Sequence, residues 1–464
     1  GFATYMAAKM QMALYPGSDA WKSFYLRNKP LAYAVDATEG TVPVWQALAN
    51  LDQAKSNYGA IVYNKAPSVL KQLNFLVGDD AFQGGLQRFL RQYAFGNATW
   101  QQLLDAIASA WGHPLRAWGE SYILRPGMPV IEQRLDVRDG RVARLTLIQR
   151  PAQRLSGSAP WPIRTEVVLA AENGPPARIP VTITGDTTEV SQAIGMPAPA
   201  WVFANAQDQA YALVLLDDRS VEWLERSIGR ERDSFQRAML WGGLWDLVRD
   251  ASLSADRFVR LALRELPAER DEQISSAILS RLTRAATGYL AGPVRASRLP
   301  EVERQLLAGA ADSMRPDGIR RAHLNALVGV AATPAMVDTL DALLDRERLA
   351  GLSLGAPTRW AIITRLAATG HTSAGRRLAA ERERDRKPEG ARRAFVAEAA
   401  RPEASVKRAY FTRYFADSAL NEDWATASLD AFNSPESRQI TTRYLRAALD
   451  SLPWIQQHRR IFYL

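Results

Sequence analysis

Apolar residues recur three and four positions apart through the first 125 residues, a period that predicts a mainly helical segment. Phe2, Met6 and Met10 fall on one face of the opening helix and are expected to pack into a core. Val69, Leu70, Leu73, Leu76 and Val77 define a strongly apolar helix that Pro67 opens and Gly78 closes. Proline is tolerated in a first turn because its missing N–H has no intrahelical partner there. A further amphipathic helix spans Phe82 to Tyr93. Thr99 and Gln102 then make a capping box ahead of Leu103, Leu104, Ile107 and Trp111. Asn97-Ala98-Thr99 also fits the N-glycosylation pattern, but three residues are a weak signal and the cap is preferred. Leu115 to Leu124 supplies one more helix.

The period changes at Arg125-Pro126-Gly127-Met128-Pro129. Ile131, Leu135 and Val137 alternate with polar residues, and Arg138-Asp139-Gly140-Arg141 has the composition of a hairpin turn. Ile179, Val181 and Ile183 alternate likewise, and Trp201-Val202-Phe203 and Tyr211 to Leu215 close the set. About seven short strands in about 90 residues predict a small β-sandwich. From Ser220 the helical period returns, broken by Pro267, Pro300, Pro316, Pro334, Gly355 and Pro388. About a dozen helices in such pairs predict an α-solenoid, in which each pair buries its apolar face against the next. The expected division is 1–127, 128–217 and 218–464. The apolar run at Arg460-Ile461-Phe462-Tyr463-Leu464 carries no cap, so the last domain is expected to be truncated.

Composition narrows the function only by exclusion. A net charge of +9 raises nucleic acid as a partner. The arginines are spread, however, and many stand at helical spacing from acids, as in Glu381-Arg382-Glu383-Arg384-Asp385-Arg386-Lys387, which a solvated helix face explains. No nucleic-acid partner is expected. There is no cysteine, which removes disulfides, thiolate metal sites and cysteine nucleophiles. No apolar run reaches the roughly 20 residues of a membrane span. The four histidines, His113, His323, His371 and His458, are far apart, and none begins an H-E-x-x-H motif. From residue chemistry alone, the chain reads as a large multidomain protein with no metal ligands of its own.

Two segments carry a resemblance. Gly1-Phe2-Ala3-Thr4-Tyr5-Met6 is similar to the stretch after the third zinc ligand, in the pattern Asn-Glu-Gly-Phe-Ala, of the membrane-alanyl-aminopeptidase family of gluzincins. Tyr63-Asn64-Lys65-Ala66-Pro67-Ser68-Val69-Leu70 resembles that family's Tyr-x-Lys-Gly-Ala-x-Val-Leu signature, with Ala66-Pro67 in place of Gly-Ala. Trp118 with Gly127-Met128-Pro129 resembles its junction into a β-sandwich, and Asn205 to Tyr211 resembles a strand near the sandwich's end. The match is specific to about residue 129 and weaker to about 216.

The resemblance implies a multidomain, mainly α chain: the helical half of a thermolysin-like catalytic domain, a small β-sandwich, and a helical HEAT-like domain. It implies a zinc aminopeptidase acting on peptides, with its zinc ligands upstream of Gly1. The 464 residues alone are then expected to be inactive. Of the family's catalytic groups only the oxyanion-binding tyrosine falls in this chain, at Tyr63. A phenol suits that task because it is a neutral donor at neutral pH. Tyr58 resembles an aromatic that lines the pocket for the substrate's first side chain, and Lys65 is expected to be structural. A further option implied by the resemblance keeps the metal site but acts on an epoxide or another small molecule, as some relatives do. A non-catalytic relative, serving as a scaffold that binds peptide or protein, is the alternative of a different class; the upstream motif separates it from the enzyme. Neither compartment nor oligomeric state is indicated.

Overall fold

The computed structural model describes residues 1–48, 58–417 and 419–458. The terminal run Arg460–Leu464 lies outside the described residues. The chain divides into two compact units, Gly1–Ser254 and Ala255–Leu464.

In the first unit, helices α1 (Phe2–Leu14) and α2 (Ala20–Asp36) precede a π-helical turn, Ile61–Lys65, that runs directly into helix Ala66–Val77. Gly78 ends that helix at φ +85°. The capping box is present: Gln102 N–H donates to Thr99 Oγ1 at 3.3 Å and Thr99 N–H to Gln102 Oε1 at 2.8 Å. The opening helix differs from expectation. Its buried residue is Tyr5, whereas Phe2 and Met6 are half-buried and Met10 is 56% exposed. Tyr5 is drawn in by partners distant in sequence. Its ring lies 5.9 Å from Trp21 and 5.6 Å from Phe82, and its hydroxyl donates to Asn74 at 2.6 Å.

Seven strands follow in two sheets, a four-stranded one of order β5-β2-β1-β7 and a three-stranded one of order β4-β3-β6. They are β1 (Pro129–Arg138), β2 (Arg141–Pro151), β3 (Ile163–Ala170), β4 (Ala177–Ile183), β5 (Thr187–Glu189), β6 (Trp201–Phe203) and β7 (Leu213–Leu215). Asp139 and Gly140, at φ +49° and +70°, make the tight β1–β2 turn. Both positive angles suit the right-handed twist of the strands they join. Within β1, Gln133 is buried where alternation calls for an apolar residue. Its amide donates to Val202 O at 2.8 Å and to Asp217 at 2.9 Å and accepts from Ala204 N–H at 3.0 Å, tying one sheet to the other. Helices Asp218–Ser227 and Ser234–Arg249 complete this unit.

The segment between β6 and β7 supplies acceptors to lysines of the helical part. Lys29, 1% exposed, pairs with Asp208 and donates to Ala210 O at 2.6 Å. Lys71 donates to the carbonyls of Gln207 and Asp208 at 2.6 and 3.0 Å. Burial pulls both ammonium groups down from their ordinary value, Lys71 to about 8. Tyr33 donates to Ala212 O at 2.9 Å.

The second unit is helical. Helices Glu272–Arg284, Asp317–Val330, Ala356–Ala368, Pro388–Ala399 and Glu422–Phe432 form one row, each packed on the next, with intervening helices against them. Pro316, Pro334, Gly355 and Pro388 mark helix starts, as the sequence indicates. Pro300 does not break the chain: it lies inside helix Gly292–Ala311, whose buried Leu299, Val302 and Leu306 hold it across the proline. A two-stranded hairpin, Arg348–Leu349 with Leu352–Ser353, interrupts the helices, a feature the sequence did not suggest. Among the described residues, no helix is long and apolar enough to cross a membrane.

Candidate active site

The π-helical turn Ile61–Lys65 is wider than an α-helical one: Ala66 N–H donates to Ile61 O, five residues back. Such turns are rare, and they concentrate at functional sites. Ile61 and Lys65 point inward and are buried. Tyr63, between them, points out and is 44% exposed. Tyr58 is 50% exposed, and its ring stacks on that of Tyr63 with centroids 5.8 Å apart and planes at 24°. The two tyrosines singled out from the sequence are thus brought together on an accessible face. Asn64 donates to Asn28 at 2.9 Å, fastening the turn to α2.

Gly1 lies against the same turn. A Cβ on Gly1 would come 2.8 Å from Ala66 Cβ and 3.3 Å from Val62 O, so only glycine fits this approach. Two segments sixty residues apart, chosen for their sequence pattern alone, are therefore neighbours in space.

Beneath Tyr63 lies a closed polar network. Lys65 Nζ pairs with Asp36 Oδ2 at 2.9 Å and donates to Gly127 O at 2.7 Å. Asp36 accepts from Gly127 N–H at 3.0 Å, Thr41 Oγ1–H at 2.5 Å and Tyr211 O–H at 3.1 Å. Lys65 and Asp36 are both fully enclosed. Burial lowers the Lys65 pKa, and the attraction of Asp36 opposes it. Burial first, then the charge of Asp36, raises the Tyr211 phenol well above its ordinary range and keeps it a donor. Lys65 points into this network, away from Tyr63. Asp36 escaped notice: it ends a helix with no motif around it, and its partners lie up to 175 residues away.

The histidines are dispersed. His113 stands edge-on to Trp111, with ring centroids 4.8 Å apart. His371 Nε2 contacts Asp338 at 3.0 Å and Nδ1 contacts Ser373 at 2.8 Å. The side chain of His458 lies outside the described residues. His323 is 3% exposed, with Arg315 Nη1 3.3 Å from its Nε2. Burial and then Arg315 push its pKa from 6.5 to about 4. Between those values the unfolded chain binds a proton that the folded chain refuses, so stability falls as pH drops from 6.5 towards 4. The expected loss is about 3 kcal/mol. Denaturant midpoints across this range should fall less in His323→Gln, which gains no charge. An equal fall in both proteins would discount His323.

Among the described residues, no group of three or more His, Cys, Asp or Glu side chains could hold a metal ion. The chain's described residues therefore do not fit a zinc centre by themselves.

Residues 1–122 match the Peptidase family M1 domain, and residues 201–458 match the ERAP1-like C-terminal domain. The chain is 30% identical to aminopeptidase N of Streptomyces lividans over 97% of its own length and 54% of that protein's. It is 25% identical to the tricorn protease-interacting factor F2 of Thermoplasma volcanium over 61% of this chain and 34% of that one. Leucyl aminopeptidase of Saccharolobus solfataricus is 26% identical over 31% of this chain and 18% of that one. The chain belongs to the M1 aminopeptidase family. It spans about half the length of the Streptomyces relative, and less of the others.

Proposed function

We propose that this chain is the later part of a zinc-dependent aminopeptidase that removes N-terminal residues from peptides, and that Tyr63 is its oxyanion donor. The observation that carries the reading is the position of Tyr63: an accessible phenol on an anchored turn whose Val62 and Ala66 pack against Gly1. In the family pattern a glutamate ligand precedes Gly1, so the zinc ligands would come from residues outside this chain and close to Tyr63. Bound zinc supplies Lewis acidity and lowers the pKa of its water. What this chain contributes is a hydrogen bond from the Tyr63 hydroxyl to the oxygen that becomes negative as the scissile carbonyl turns tetrahedral. Such a bond accelerates the reaction because it strengthens as that charge forms. Tyr58 would contact the substrate's first side chain, a role supported by its exposure and its stack on Tyr63. We further propose the division 1–127, 128–217 and 218–464 into peptidase part, sandwich and helical domain, the last restricting entry to peptides.

The test uses the complete protein and the 464-residue chain side by side. The complete protein should bind stoichiometric zinc and hydrolyse aminoacyl amides, and a chelator should abolish turnover. The 464 residues alone should do neither. A complete protein that binds no zinc and hydrolyses nothing would instead be a peptide-binding scaffold.

A further inference from the structure

We propose that Lys65, Asp36 and Tyr211 form a latch whose task is to aim the Tyr63 phenol; they are positioning residues, and the inference rests on the reading of Tyr63 above. Besides the Asn64–Asn28 bond and the packing of Gly1, the turn is held at its inner face through Lys65. Lys65 stands two residues after Tyr63 on the opposite side, and its ammonium is fixed by Asp36 and by Gly127 O. Asp36 is fixed in turn by donors from the loop after α2, from the junction before β1 and from Tyr211 in the loop before β7. The Lys65 ammonium also lies 5.7 Å from the centre of the Tyr211 ring. Four stretches of chain therefore converge on the inner face, while Tyr63 has an aromatic neighbour, Tyr58, on the outer one.

The width of the turn gives the latch its consequence. A π-helical turn holds one residue more than an α-helical one and persists only where its surroundings impose it. Relaxation to an α-helical turn would rotate the preceding side chains by roughly 100°, the angle between successive residues of an α-helix. Tyr63 would then leave the exposed face on which it stacks with Tyr58. A donor displaced by this much cannot reach the developing charge, whereas ground-state binding through other contacts is untouched.

A double-mutant cycle on the complete protein tests this. Lys65→Met should lower kcat roughly tenfold or more, with KM within about twofold of its original value. In the Tyr63→Phe background the same substitution should cost nothing further, because there is no hydroxyl left to aim. Tyr211→Phe keeps the ring and removes only the bond to Asp36; it should show the same dependence on Tyr63 with a smaller loss, and it decides the matter where Lys65→Met does not fold. Equal losses in both backgrounds, or no loss in either, would overturn the latch. A neutral Tyr63→Phe would overturn the reading of Tyr63 instead. If the complete protein is inactive, amide exchange still discriminates: the 61–66 amides should exchange faster in Tyr211→Phe, and unchanged exchange counts against the latch.

Discussion

Tyr63→Phe in the complete protein is expected to lower kcat by roughly 10²–10³-fold with little change in KM. The substitution removes one oxygen from a side chain that is 44% exposed, so the fold should barely notice. The stack on Tyr58 survives, because the ring remains. What disappears is a donor that matters only when negative charge builds on the substrate oxygen. Such a loss appears in the chemical step and not in substrate affinity. A variant that turns over at the parental rate would remove Tyr63 from the mechanism. A raised KM at unchanged kcat would make it a substrate-binding residue instead.

Gly127→Ala is expected to have the largest effect on stability, about 3 kcal/mol or more. Two penalties coincide. Gly127 sits at φ +83°, where a side chain is strained. A methyl group there would also fall inside the Ser156 hydroxyl and 2.7 Å from Gln153 Nε2, in a region with no room to yield, since Ser156 and Gln153 are themselves buried. The backbone of Gly127 both donates to Asp36 and accepts from Lys65, so any shift is felt under Tyr63. Chemical denaturation of the variant measures the loss. Combining it with Ser156→Gly should recover the steric part and leave the torsional part. A denaturation midpoint within error of the parent would refute this account of the junction.

Local rules were readable in the sequence wherever the governing partners are close along the chain. Asp139-Gly140 specified its hairpin, and Thr99 with Gln102 specified its cap, because each bond spans three residues or fewer. Pro67 and Gly78 bracketed their helix for the same reason. Where distant packing decides, the pattern misled. The face Phe2, Met6, Met10 has a sound helical period, yet the core selected Tyr5 because Trp21, Asn74 and Phe82 converge there. Pro300 signals a break that its helix overrides by burying its neighbours. Of the candidate site, Tyr58 and Tyr63 were legible through their resemblance to a motif. Asp36 was not, since no sequence window contains Lys65, Gly127 and Tyr211 together.

The loop between β6 and β7 bears on how the protein can be dissected. Asp208 pairs with both Lys29 and Lys71, the loop's carbonyls accept from them, and Tyr211 in the same loop serves Asp36. A piece cut after residue 127 would lose the acceptors of Lys29 and Lys71 together with the loop that encloses them. Expression trials on the amino-terminal region should therefore retain the sandwich as an internal counterion, and a shorter excision should be recovered only as insoluble material.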